Sequence, residues 1–419
     1  MGSRLVRVNR TLAFALPCRD SQLEWLSREF RLIVNKSIRI AVEGNIRSRT
    51  KLARAAYAEL SREHAIYKQY IPSAFEVALG ALKAYRRRIR KGNGLTGARP
   101  YLNRLLLKAE NQSYKLDRKT GLIRIPVSGR RGLEFVLPLS RWHRQFLDDR
   151  EWTLGSLTLI PGKLLLVVRR DAPRPPQAEG SIALDTNEDS LDGVFADANR
   201  AMLLSVPLGG VRSVQATHFR RRRRLSQKKS GDVRVLRRLL AREGRRERNR
   251  VRQRLHRVTK ELICAARVKN AAIVLEDLAF NGIGGRSRRM KRRLSSWPRG
   301  EMHRQIDYKA ALAGVSVIKV NPAWTSKTCP VCGARRRDRV GKDFVCLVCD
   351  WEMDRQHNAA LNILKSALAS NEALARAVRF QPGALRHDVV SPLYDLLREG
   401  GGAREEPSGV ESRPSTRVT

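Results

Sequence analysis

Acidic residues are scarce in this chain. Forty Asp and Glu stand against 84 Lys and Arg in 419 residues, a formal charge of +44 at pH 7. Charge this one-sided opposes a compact state by self-repulsion unless a polyanion is at hand. Nucleic acid is the default partner, with an anionic membrane surface as the competitor. Long apolar runs are also missing. Stretches such as KLLLVV around Leu164 fall far short of the roughly 20 residues a bilayer span needs. The opening MGSRLVRVNR lacks the apolar centre of a signal peptide, and Val6 stands where a myristoylation motif needs a hydroxyl. The expectation is a cytoplasmic or nucleoid-associated protein with no membrane partner, and a monomer. Cysteine is sparse outside one stretch. Four of the six lie at 329, 332, 346 and 349, while Cys18 and Cys264 stand alone and read as packing residues. A chain of this length in a reducing compartment has no need of a disulfide framework, so the clustered four read as metal ligands.

What is present divides the chain into parts. Its length implies more than one core, and 42% apolar residues are enough to fill several. RLVRVNRTLAFAL alternates as a strand. From Ser21 the pattern turns helical, with Leu23, Leu26, Phe30, Ile33, Val34 and Ile38 near a 3.6-residue period. A later helix starts near Pro72 and ends in five Lys or Arg within Arg86–Lys91, more than a helix dipole requires. Residues 112–170 form short β-rich runs cut by Gly and Pro. Together these predict a β-barrel from 1–18 and 95–172 carrying a helical insertion at 19–94. DAPRPPQAEG is a Pro-rich linker. Beyond it come GSIALD, a strand meander, and a helical segment 211–260 with twenty Lys or Arg against three acids. Then follow AAIVLE, GVSVIKVNP, the cysteines and the helix NAALNILKSALAS. After Asn371 the periodicity fades, and 371–419 reads as a disordered tail.

Cys329-x2-Cys332 and Cys346-x2-Cys349 are thirteen residues apart. Each pair builds a knuckle, and two knuckles close a tetrahedral sulfur site of the kind Zn²⁺ occupies in structural ribbons. Four thiolates leave no open position, so such a zinc is a staple and not a catalyst. The ribbon spans 326–350, and its Arg335, Arg336 and Arg337 offer a nucleic-acid grip. So do Arg220, Arg221, Arg222, Arg223, Arg224, Lys228 and Lys229 at the head of the basic helices. Two apolar strands stop at carboxylates, Asp185 and Glu276. Strand-end acids in an α/β sheet can converge on hard cations, and two Mg²⁺ ions can drive phosphodiester hydrolysis. Asp277 points the other way. Asp189 and Asp192 read as loop acids. His303 and Arg304 stand on a helix that either meets substrate or simply faces water.

IALDTNEDS, IVLEDLAF, NPAWTSKTCPVCG and CDWEMDRQHNAALNIL, in this order, resemble the TnpB family of transposon-encoded proteins, the ancestors of the type V CRISPR effectors. The match covers about 181–365. The resemblance implies a multidomain α/β and β fold: an RNase H-like RuvC nuclease domain at 180–325 and 351–370 with the zinc ribbon inserted, plus an N-terminal β-barrel wedge with a helical recognition domain. It implies guidance by an RNA from the transposon end and Mg²⁺-dependent cleavage of double-stranded DNA beside a short motif. Carried over by position, Asp185 and Glu276 are the first two catalytic metal ligands. The third departs from the pattern. Where the family reads Asp-Arg-Asp-x-Asn-Ala-Ala, the second acid here is Gln356. Asp354, two residues earlier, is the substitute this resemblance offers as third ligand, with His357 close by. The alternative is a nuclease-inactive RNA-guided DNA-binding protein of repressor type. A sequence-nonspecific DNA-binding accessory of a transposon is the third reading.

Overall fold

The computed structural model describes residues 7–16, 20–92, 97, 100–129, 131–227, 232–277, 287, 292, 295–335, 342–386 and 388–398. The chain divides into two units, Met1–Asp171 and Ala172–Thr419.

In the first unit, β1 (Arg7–Ala15) pairs antiparallel along its whole length with β7 (Lys163–Asp171), so the two ends of the unit close on each other. Between them run α1 (Ser21–Glu43), α2 (Arg49–Glu63) and α3 (Tyr70–Arg90), then β2 (Leu107–Ala109), β3 (Lys115–Leu116), β4 (Leu122–Ser128), β5 (Arg131–Val136), α4 (Arg141–Leu147) and β6 (Thr153–Ile160). Asp20 caps α1 by accepting from Gln22 N and Leu23 N at 2.8 and 3.1 Å, which fixes the start of the helix. Leu26, Phe30, Ile33, Val34 and Ile38 then form its buried stripe. Among the described residues the strands make two separate ladders, β1-β7-β6-β2 and β3-β4-β5. This corrects the single barrel expected from sequence. Pairing of β1 with β7 consumes the first strand in one ladder, and the short β3–β5 runs satisfy their hydrogen bonds among themselves.

The second unit is built on a mixed sheet of order β12-β11-β8-β9-β10-β15. Three antiparallel strands, β8 (Gly180–Thr186), β9 (Ser190–Ala196) and β10 (Ala201–Pro207), form a meander. β11 (Ala271–Glu276) and β12 (Val317–Val320) extend it in parallel on the β8 side. The basic segment forms two helices, α5 (Val211–Gln227) and α6 (Val233–Val268). α6 runs 36 residues, about 54 Å. Strand alternation splits the core in two. Ile182, Leu184, Ile273 and Leu275 face α6 and α7 (Arg299–Ala313), with Leu255, Leu262, Met302 and Ile306. Ala183, Val194, Ala272 and Val274 face α8 (Arg355–Ser370) and the cysteine module, with Leu361, Ile363, Leu364 and Trp351. That module carries the hairpin β13 (Asp343–Val345) and β14 (Glu352–Asp354). No helix among the described residues is long and apolar enough to cross a membrane.

The expected disordered tail needs correction up to residue 398. α9 (Glu372–Ala377) buries Leu374, β15 (Ser391–Pro392) pairs in parallel with β10, and α10 (Leu393–Arg398) sets Leu393 and Leu396 into the core. The elements are too short to show a period in the sequence, yet each buried leucine contributes roughly 1.5–3 kcal/mol. Residues 399–419 lie outside the described residues. Cys264 is exposed on α6, not packed as expected; Cys18 lies outside the described residues.

Candidate active site and thiol cluster

Asp185 and Glu276 stand at the same level near the C-terminal ends of two adjacent parallel strands, since Leu184 is the register partner of Leu275. Asp192 of β9 is the register partner of Asp185, and Ser205 of β10 is the partner of Asp192. The result is a row across four strands: Glu276, Asp185, Asp192, Ser205. Alternation puts this row on the face covered by α8, because Leu184 and Leu275 point to the other. Gly193 permits the close approach of β9 to β8, for a Cβ there would lie 2.5 Å from Leu184 Cδ2 and 2.6 Å from the carbonyl of Ala183. Asp192 was expected in a loop; it is a buried strand residue.

Burial, and then the Glu276 carboxylate, push Asp185 up to about 7, partly offset by a hydrogen bond from Asn187. Burial also raises Glu276, against a bond from Thr325 and the nearby charge of Arg299. Thr325 Oγ1 donates to Glu276 Oε1 at 2.6 Å. Asp192 is fully engaged: Asn187 Nδ2, Ser190 Oγ and Ser205 Oγ donate to it at 2.9, 2.5 and 2.7 Å. Two dehydrated neighbouring acids that favour protonation form a donor set suited to a hard divalent cation, which would supply the missing charge. Arg299, buried and stacked 4.5 Å from the Trp297 ring centre, is the cation the chain itself provides.

Asp354 lies on the same face but is occupied differently. It is the N-cap of α8, accepting from Gln356 N at 2.8 Å, with His357 Nδ1 at 3.7 Å. His357 in turn lies 3.2 Å, through Nε2, from the carbonyl of Leu204. Among the described residues, the carboxylates of Asp185, Glu276 and Asp354 do not close to within 4.8 Å of one another.

The thiols do. Sγ atoms of Cys329, Cys332, Cys346 and Cys349 all lie within 4.8 Å of one another. Cys329 and Cys349 are 3.6 Å apart, Cys332 and Cys346 3.5 Å. A tetrahedron with Zn–S of about 2.3 Å has edges of about 3.8 Å, so the four sulfurs fit a structural zinc. Backbone N–H groups of Val331 and Cys332 turn toward Cys329, and those of Val348 and Cys349 toward Cys346, as thiolates require. The cluster is tied to α8 by asparagines. Asn358 accepts from Trp351 Nε1 and donates to the Thr328 carbonyl at 3.0 Å. Asn362 Nδ2 lies 2.9 and 2.7 Å from the carbonyls of Thr325 and Thr328. Lys365 reaches the Pro330 carbonyl at 2.7 Å. The helix start, the sulfur cluster and the residue that holds Glu276 are therefore one hydrogen-bonded assembly.

Residues 300–363 match the family model described as Cas12f1-like, TNB domain. A TnpB-like protein of Methanocaldococcus jannaschii is 26% identical over 253 residues, which is 58% of this chain and 90% of that protein. The CRISPR-associated endodeoxyribonuclease Cas12f1 of Sulfoacidibacillus thermotolerans is 34% identical over 112 residues, 26% of this chain and 25% of that one. The chain thus resembles TnpB-like proteins over more than half of its length. Its fold is shared with Cas12f1 in a complex with sgRNA and target DNA, at a TM-score of 0.53 and 14% identity over 82% of this chain and 81% of that one.

The basic residues singled out from sequence separate into groups. Arg220, Arg221, Arg223 and Arg224 are exposed on α5. Arg222 is paired with Glu247, and Arg221 lies 3.7 Å from Glu243. Glu243 also holds the buried His218 at 2.8 Å, pinning α5 to α6. Arg335 pairs across from Thr328, beside the first knuckle. Lys228, Lys229, Arg336 and Arg337 lie outside the described residues. α7 is a core helix, not a surface one: it buries Met302, Gln305, Ile306 and Ala310. His303 Nε2 is 3.3 Å from Thr186 Oγ1, and burial lowers it to about 4, so it stays neutral. Arg304 is exposed and bonds Glu301. Asp192, Thr325 and Arg299 were missed by sequence reading. Only the position of Thr325 beside the cysteine motif carried a signal.

Proposed function

We propose that this chain is an RNA-guided DNA endonuclease of the TnpB kind, with its nuclease centre at Asp185 and Glu276 on an RNase H-like RuvC sheet. The observation that carries the reading is the pair itself: a half-buried Asp185 and a buried Glu276, level on adjacent parallel strands, each with raised proton affinity. Asp185 and Glu276 would hold Mg²⁺, which lowers the pKa of a bound water and neutralises charge on the phosphate. The chain's own part is positional. Thr325 fixes Glu276, Asn187 joins Asp185 to Asp192, and Arg299 adds a buried positive charge beside Glu276. In hydrolysis a water gives up a proton to solvent as its oxygen bonds to phosphorus, the bridging P–O bond breaks, and the leaving oxygen takes up a proton from solvent. A guide RNA and double-stranded target DNA are the partners that the relatives and the charge of +44 support. Zinc at the four cysteines has a structural role.

One observation favours a second reading, a binder that does not cut. Gln356 is neutral, and Asp354 is engaged in capping its own helix. The test is a cleavage assay of the chain co-purified with its flanking RNA, with Mg²⁺ and a guide-matched plasmid. Cutting that needs RNA and is abolished by Asp185→Ala establishes the nuclease. Asp354→Asn should then match Glu276→Gln in damage if Asp354 is the third ligand. RNA-dependent binding without cutting, restored to cutting by Gln356→Asp, establishes the second reading.

A further inference from the structure

Trp324 is the residue the nuclease reading leaves unused. The residue is 46% exposed, a large apolar side chain left half in solvent. Its φ of 69° is a conformation bulky residues rarely adopt. The turn that imposes it is well bonded: the Trp324 carbonyl accepts from Lys327 N at 3.0 Å, Thr328 N at 3.1 Å and Thr328 Oγ1 at 3.0 Å. Strain of this kind persists only where surrounding bonds over-determine it, and it concentrates at working sites. Two cations attend the ring, Lys327 Nζ at 5.3 Å and the Arg335 guanidinium at 5.4 Å from its centre. The next residue, Thr325, is the one that donates to Glu276.

We infer that Trp324 is a base-stacking platform that receives a nucleotide of single-stranded DNA next to the acid pair, with Lys327 and Arg335 taking the flanking phosphates. An exposed indole with two cations close by matches a base and its backbone, since every base has a stacking face and every linkage a negative charge. Because Trp324 and Glu276 are joined through one residue and one hydrogen bond, a strand stacked on the ring is held at a fixed offset from the carboxylates. The assignment rests on the nuclease reading for its purpose, though not for its geometry.

The test uses the full chain carrying Asp185→Ala and a single-stranded DNA with 5-iodouracil at successive positions. After irradiation, adducts are located by peptide mass spectrometry. A crosslink at Trp324 is expected, together with an affinity loss of about 5- to 100-fold in Trp324→Leu, the range that stacking one base provides. Trp324→Phe should retain most of the affinity. Zinc content and melting temperature should be unchanged in both variants, which a merely structural role would not allow. Adducts confined to other residues, or full affinity in Trp324→Leu, would overturn the platform. A crosslink at Trp324 in a chain whose wild type never cuts would leave the platform standing while the nuclease reading fell. The same strand made as RNA shows whether the sugar matters: crosslinking preferred on RNA would overturn the assignment to DNA.

Discussion

Asp185 has an ordinary value of 3.8 and is raised to about 7 in the folded chain, burial being the larger cause and Glu276 the next. Between those values the folded chain keeps a proton that the unfolded chain has released, so this group's contribution to stability falls as pH rises from about 4 to about 7. Asp185→Asn keeps the shape and removes the charge. In magnesium-free buffer at pH 8 the variant should melt above wild type, and the gain should shrink toward pH 4. A tenfold difference in proton affinity between folded and unfolded chain is worth about 1.4 kcal/mol, so the gain is on the order of a few kcal/mol. Scanning calorimetry across the pH range checks it; equal melting at pH 8 would mean the carboxylate is not dehydrated. The same residue shows what sequence could reveal. Two strands ending in acids mark Asp185 and Glu276: one such acid is ordinarily a solvated loop residue, but a pair in so basic a chain points to a shared site. Asp192 carried no such mark: it follows the polar run NEDS near the start of a strand, not at its end, and read as a loop acid.

At the scale of elements, α8 connects the sulfur cluster to the acid row. Asn362 supports the carbonyls of Thr325 and Thr328 from inside the core. Asn362→Ala would leave those buried acceptors short of a donor, at a cost of about 1–3 kcal/mol. The variant should lose zinc to a competing chelator sooner than wild type and, on the proposed function, should cut more slowly, since Thr325 holds Glu276. Zinc retention identical to wild type would break the proposed connection. The motif NAALN is readable as a helix with an apolar face. That its asparagines point inward and bind the ribbon's first turn is a tertiary fact, because buried amides look like surface ones until their partners are known.

Over the whole molecule, the second unit is completed by a segment that composition disguises. β15 and α10 lie far along the chain from the sheet they finish, yet Leu393 and Leu396 pack in the same core as Leu255 and Leu262. A chain ending at Asn371 should therefore melt lower and not match the full chain, by several kcal/mol if each of Leu374, Leu385, Leu393 and Leu396 contributes about 1.5–3 kcal/mol. Thermal melting of the truncated and full-length chains decides it. The single barrel of the first unit also dissolved at this scale, into two ladders that local patterning cannot distinguish.

The sequence by itself determined the resemblance to TnpB-like proteins, the four-thiol cluster, the two strand-end acids and the basic helices. Each is local: a spacing, a run, or a residue at the end of a run. Tertiary structure alone decided that Asp192 faces Asp185, that Thr325 and Arg299 attend Glu276, that Asp354 caps α8, and that Trp324 is turned outward beside the acids. These depend on strand register and on which face of the sheet each helix covers. Register and face are set by the summed burial of residues far apart in the chain, and no local pattern encodes that sum.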